Sequence, residues 1–235
     1  HIAYAPEEIL VTSGAKQAVF TALLALLDPG DEVVIPSPYW VTYPEAVRLI
    51  GGIPVIAQTR FENGFKLTPE ELRKAITPKS KLLILNSPCN PTGAVYSRAE
   101  LEALAAVIVE KDLYVLSDEI YEHITFEGSH ASMAQIKALS ERVITINGVS
   151  KGFAMTGWRG GIMAASKEIA IACDKIQGQI TSATCSITQK AMHAAMELDV
   201  ETYIRPMREA FLKRRNLALE ILSAVPGFKT NRPQG

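Results

Sequence analysis

The chain has 235 residues, 48% of them hydrophobic, and its 24 basic and 25 acidic side chains leave a net charge of −1. Near-neutral charge excludes a general nucleic-acid or acidic-membrane surface, and no apolar run approaches the ~20 residues of a membrane helix. The length suits one large α/β domain, or one domain plus a fragment.

Ile9-Leu10-Val11 reads as a short strand running into Thr12-Ser13-Gly14-Ala15-Lys16. A helix is expected from about Ala15 to Leu27, with Val19, Leu23, Leu24 and Leu27 at helical spacing. A hydroxyl and a glycine between strand and helix leave backbone N–H groups free at a positive helix end, which suits phosphate; taken alone, an ordinary N-cap explains the pattern better. Val33-Val34-Ile35 is a buried-type strand ending in Pro36-Ser37-Pro38-Tyr39-Trp40, a rigid turn carrying two aromatics. Trp40 suits either the core or a stacking role at a strand's C-terminal end, where open α/β sheets bind ligands.

A helix over Tyr43 to Ile50 leads to Ile53-Pro54-Val55-Ile56, whose proline marks an edge strand. Thr68-Pro69-Glu70-Glu71 opens another helix with a capping box. Lys81 to Leu85 is a fully buried strand followed by Asn86-Ser87-Pro88-Cys89-Asn90-Pro91-Thr92-Gly93, in which the Asn90 amide is either fixed toward a ligand or part of a plain turn. An amphipathic helix over Ser97 to Glu110 precedes the strand Leu113 to Leu116, which runs into Ser117-Asp118-Glu119-Ile120-Tyr121. A carboxylate at the mouth of a buried strand needs a partner. For Asp118 that is an arginine or a protonated heterocycle nitrogen, with Tyr121 on the same side if a helical turn begins there.

The strand Val143 to Ile146 enters a stretch rich in glycine and small residues, Asn147 to Gly161, which contains Ser150-Lys151 and, eight residues on, Arg159. Small neighbours let a flat ligand approach the backbone and leave the Lys151 ammonium poorly solvated, conditions under which a lysine can form a Schiff base with a carbonyl. A strand at Ile162 to Ala165, helices at Lys167 to Ile180 and Ile187 to Met196, and one very long helix from Val200 to Ala224 complete the pattern. A domain boundary is expected at Val225-Pro226-Gly227-Phe228. Both ends of the sequence read as interior to a longer protein, and three cysteines without metal spacing fit a reducing cytoplasm. Alternating strands and helices imply a mainly parallel sheet covered on both faces. Four polar or aromatic loops lie at strand C-terminal ends, where one ligand can meet them all.

Five motifs in this order and at this spacing resemble those of the fold type I pyridoxal-phosphate aminotransferases, and most closely the bacterial aspartate aminotransferase branch of class I. They are Ser13-Gly14-Ala15-Lys16, Ser37-Pro38-Tyr39-Trp40, Asn90-Pro91-Thr92-Gly93, Ser117-Asp118-Glu119-Ile120-Tyr121, and Ser150-Lys151 with Trp158-Arg159. The resemblance implies a three-layer αβα large domain over residues 1–225 and the start of a smaller C-terminal domain at 226–235. It implies that Lys151 carries pyridoxal 5′-phosphate as an internal aldimine and then moves the substrate proton. Asp118 would pair with the ring nitrogen, Tyr121 and Asn90 with the phenolic oxygen, and Trp40 would stack on the ring. Ser150, Arg159 and the Gly14-Ala15-Lys16 backbone would hold the phosphate, and the Lys16 side chain the substrate's distal carboxylate. The implied reaction is ping-pong transamination between L-aspartate and 2-oxoglutarate in a cytoplasmic homodimer without metal. Prephenate, aromatic or other amino-acid transamination, or a non-catalytic cofactor-sensing domain, are the alternatives. The sequence departs from the family pattern after the arginine. Members usually carry leucine or isoleucine and then Gly-Tyr; this chain reads Gly160-Gly161-Ile162, and a looser phosphate anchor is expected.

Overall fold

A strand that is apolar throughout must be covered on both faces, and β4 (Ser80–Asn86) is: Leu82 and Ile84 pack into one core layer, Leu83 and Leu85 into the opposite one. The structure is a computed structural model that describes residues 2–235. Its described residues form a seven-stranded sheet in the order β1 (Ile9–Thr12), β7 (Gly161–Ala164), β6 (Val143–Gly148), β5 (Tyr114–Asp118), β4, β2 (Glu32–Ser37), β3 (Ile53–Gln58). Strands β2 to β6 run parallel in that array, and β3, with Pro54, is an edge. β7 is antiparallel to both β1 and β6. The physical reason is the connection. A parallel return needs a crossover, usually a helix, whereas β6 reaches β7 through the Val149–Gly160 loop, whose one regular piece is a three-residue helical turn at Thr156–Trp158.

Helices α1 (Ala15–Leu26), α2 (Thr42–Leu49) and α5 (Lys167–Ile180) cover one face through Val19, Leu23, Val47 and Ile169. The other face is covered by α3 (Pro69–Ala75) and α4 (Arg98–Glu110) through Leu72, Leu104 and Ile108. The result is the expected three-layer αβα architecture with a mainly parallel sheet. The capping box at α3 is formed: Glu71 N donates to Thr68 Oγ1 at 3.2 Å, and Thr68 N to Glu71 Oε2 at 2.9 Å.

One expected element is corrected. The long helix from Val200 to Ala224 is two, α7 (Val200–Tyr203) and α8 (Arg205–Ser223), separated at Ile204. Pro206 has no N–H for the carbonyl of Thr202, and its ring crowds that carbonyl, so the helix restarts with the proline in its first turn. The preceding helix, α6 (Ser186–Met196), starts one residue before expectation and packs Met192 and Ala195 against Val149. After α8 the chain turns at Gly227, and its last residues lie beside Gly93 and Phe126.

Candidate active site

Five strand ends contribute to one cleft. β1, β2, β4, β5 and β6 all point their C-terminal ends to the same edge of the sheet, and the loops leaving them carry the residues singled out in the sequence. A cleft of about 240 Å³ opens there. Lys16, Trp40, Asn90, Asp118, Tyr121 and Lys151 line it, as do Ala15, Ser150 and Arg159. Gly14 is the one expected site residue outside the lining, and it stands directly behind the Arg159 guanidinium.

Asp118, the last residue of β5, is 3% exposed. Its carboxylate accepts a hydrogen bond from the Tyr43 hydroxyl at 2.7 Å and one from Ile120 N at 3.2 Å. Burial, reinforced by the charge of Glu119, pushes its pKa from 3.8 up to about 6 against the lowering effect of those two bonds. No arginine pairs with it among the described residues, so that expected partner is absent. A buried carboxylate that faces a cleft without a cation is a site for a cationic ligand group.

Asn86 ties the neighbouring loops together. Its Nδ2 donates to Asp118 O at 2.9 Å, and its Oδ1 accepts from Asn90 N at 2.7 Å. The Asn90 backbone is therefore fixed relative to β5. Burial, with the charge of Asp118, raises the Tyr121 phenol pKa, and a hydrogen bond to the Asn90 side chain partly offsets the rise. The Lys151 ammonium stands 5.7 Å from the Tyr121 ring centroid. Behind Lys151, Gly152 has no side chain, and the His123 ring fills the space where a Cβ would be.

The opposite end of the cleft has the chemistry that suits an anion. Gly14, at φ +88°, begins α1 with no side-chain cap, which leaves the N–H groups of Ala15 and Lys16 without a helical acceptor at the positive end of a 12-residue helix. A Cβ on Gly14 would collide with the Arg159 guanidinium, so the two chemistries are in contact. Arg159 itself has φ +55°, a conformation that non-glycine residues adopt where surrounding structure holds them. Its Nη1 donates to Thr156 O at 2.9 Å. The backbone of Gly161 lies so close to Gly14 and Ala15 that no side chain fits between β7 and the start of α1. A side chain at Gly160 would meet Met192 of α6, whose thioether occupies that volume.

Trp40 takes the core position that the sequence allowed and also lines the cleft. It packs on the core layer beside α1, lies edge-on to Tyr43 with centroids 5.4 Å apart, and presents its face to Lys16 Nζ at 4.9 Å.

The family model for aminotransferase class I and II matches residues 1–235. The chain belongs to the aminotransferase class I and II family. It is 48% identical over 232 residues to the aspartate/prephenate aminotransferase of Thermus thermophilus, covering 98% of this chain and 60% of that one. The aspartate aminotransferase of Geobacillus stearothermophilus is 46% identical over 234 residues, covering 99% of this chain and 59% of the relative. Among solved structures, the Thermus thermophilus aspartate aminotransferase with maleate superposes at a TM-score of 0.95 with 47% identity, covering 100% of this chain and 61% of that one. The aromatic aminotransferase from Pyrococcus horikoshii gives 0.96 with 42% identity, covering 100% and 63%. The chain therefore spans about three fifths of the length of these aminotransferases.

Within this family member, two site residues escaped the sequence reading. Tyr43 reads only as the start of a helix, and Asn86 as the first residue of the loop that follows a buried strand. Only the packing of α2 over β5 and the register that pairs Asn86 with Asp118 give them roles.

Proposed function

We propose that the protein is a pyridoxal-phosphate-dependent aminotransferase that moves an amino group from L-aspartate to 2-oxoglutarate in ping-pong order. The observation that carries the reading is the shared cleft. It combines a lysine, a buried carboxylate without a cationic partner, and an arginine at an open helix N-terminus. These groups fit the cofactor's amine-reactive aldehyde, its basic ring nitrogen and its phosphate respectively.

Pyridoxal phosphate, when bound, supplies a ring that withdraws electrons from the substrate's α-carbon. In this reading Lys151 holds the cofactor covalently and afterwards carries a proton on its freed Nζ. Asp118, with Tyr43 holding its carboxylate, keeps the ring nitrogen protonated. Tyr121 and Asn90 donate to the phenolic oxygen, Trp40 covers one ring face, and Ser150, Arg159 and the Gly14-Ala15-Lys16 backbone bind the phosphate. Lys16, held over Trp40, receives the substrate's distal carboxylate. Prephenate or aromatic partners form a second reading, supported by relatives named for prephenate and for aromatic substrates.

We further propose that residues 1–225 are the large domain and that 226–235 lead into a smaller one. The protein is proposed to act as a cytoplasmic homodimer. Val41 and Leu49, 71% and 77% exposed near Lys16, form an apolar patch that a second copy would cover.

The test uses full-length protein loaded with pyridoxal phosphate. A visible absorption band that L-aspartate converts to the shorter-wavelength amine form of the cofactor is expected, and Lys151→Ala should lose the borohydride-trapped adduct. A Lys151→Ala protein that still gives the adduct would falsify the assignment. Binding without conversion by any amino acid identifies a sensor instead.

A further inference from the structure

Helix α8 is exposed along most of its length, yet it buries one arginine: Arg215 is 9% exposed. A buried guanidinium needs partners for several donors. Its Nη1 donates to Glu127 Oε1 and to the backbone carbonyl of Pro233, each at 2.7 Å, and its Cζ lies 5.4 Å from the Phe126 ring centroid. Arg232 Nε reaches the same Glu127 oxygen at 2.7 Å. The chain beyond α8 is thereby clamped against the segment that follows Tyr121.

What the clamp holds is a stitch between two loops. Gln234 N donates to Gly93 O at 2.7 Å, and Gln234 O accepts from Phe126 N at 2.7 Å and from Glu127 N at 3.2 Å. Asn231 Nδ2 donates to Thr92 O at 2.8 Å. The fit is close. A Cβ on Gly93 would strike Pro233, and one on Gly235 would approach Pro88 Cβ to 2.7 Å and Ile124 O to 2.9 Å. The first loop carries Asn90 and the second follows Tyr121. At their bases the two are joined by Asn86, whose amide bridges Asn90 N and Asp118 O. At their outer ends the join is Gln234. Asn90 and Tyr121 sit between the two joins.

We propose that residues 231–235, clamped by Arg215, form a strap that fixes the spacing of Asn90 and Tyr121, making Arg215 and Gln234 positioning residues for the site. The inference rests on the reading of Asn90 and Tyr121 as donors to the cofactor's phenolic oxygen. Donors held at the right separation stabilise the anionic form of that oxygen. Loosening them makes it a stronger base, so the cofactor's visible band titrates at higher pH.

The test compares full-length wild type with Arg215→Met and Gln234→Pro, the latter removing the N–H bound to Gly93 O. Without cofactor, hydrogen exchange at the Phe126 and Glu127 amides should quicken by roughly 10-fold or more as the stitch opens. With pyridoxal phosphate, the absorbance midpoint should rise by roughly one pH unit, the effect of losing one hydrogen bond to a charged atom. Arg215→Lys, which keeps the charge and can reach one of the two acceptors, should fall between. Midpoints equal to wild type despite quickened exchange overturn the proposal, as does unchanged exchange in both variants. A wild type with no titrating band overturns the cofactor reading and this inference with it, whereas failure of the strap alone leaves that band intact.

Discussion

Replacing Asp118 with asparagine separates what the carboxylate costs the protein from what it does for a ligand. The pKa rises from 3.8 in the unfolded chain to about 6 in the fold. At about 1.4 kcal/mol per unit, ionising this group in the folded protein costs roughly 3 kcal/mol. Because the folded value lies above the unfolded one, the contribution of Asp118 to the stability of the ligand-free protein is greatest below pH 3.8, falls between 3.8 and about 6, and levels off above. Asparagine does not titrate and removes that slope. Its single amide oxygen can accept from Tyr43 or from Ile120 N, not fully from both, which sets about 1 kcal/mol against the gain. At pH 8 the ligand-free Asp118→Asn protein should therefore be more stable than wild type by roughly 2 kcal/mol. With pyridoxal phosphate the order reverses, because the amide supplies no charge for a ring N–H⁺, and Kd should rise by roughly 100-fold or more. Urea denaturation from pH 3.5 to 8.5, with and without cofactor, measures both effects. A ligand-free variant less stable than wild type at pH 8, or one that binds the cofactor equally well, refutes the reasoning.

The same urea series on Tyr43→Phe should show the sloping region extending about one unit further toward high pH, since the phenol is a bond that lowers the Asp118 pKa. Gly14→Ala combines a φ of +88° with a collision at Arg159; fluorescence titration should find pyridoxal-phosphate affinity reduced roughly 10-fold or more, the loss of one charge-assisted bond. On the sheet's other side, Glu119 accepts from Ser117, Ser132 and His130, each at 2.8 Å. Burial pushes the His130 pKa down, but its hydrogen bond to Glu119 and that charge, with Glu122, carry it above 6.5. The pair's contribution is thus complete below pH 6.5 and fades as pH rises through the raised value. Thermal melts of Glu119→Gln should be lower than wild type at pH 6 and lose that decline toward pH 8.

The parts of the site legible in the sequence are those whose chemistry sits in a loop directly after a strand. Lys151, Asp118 and Asn90 each follow or end a buried apolar run, so a short stretch names both the element and its mouth. Tyr43 lies on a helix at an apolar spacing, and its partner is 75 residues away. Only the packing of α2 against the sheet turns that phenol toward a carboxylate. The role of Asn86 depends in the same way on the pairing of β4 with β5. The break between α7 and α8 was legible, because Pro206 removes a helix donor, but the long amphipathic pattern on either side masks it. The antiparallel β7 follows from a short connection that contains no crossover helix.

The exchange of bulk between Gly160 and Met192 has an evolutionary consequence. The loop beside Arg159 and helix α6 share one volume, and Val149 closes its remaining side. A larger residue at 160 fits only if the Met192 side chain moves aside or 192 shrinks, and a smaller one at 192 leaves a hole unless 160 grows. These two positions, 32 apart in sequence, are therefore constrained as a sum rather than singly. The effect of a substitution at either depends on its counterpart.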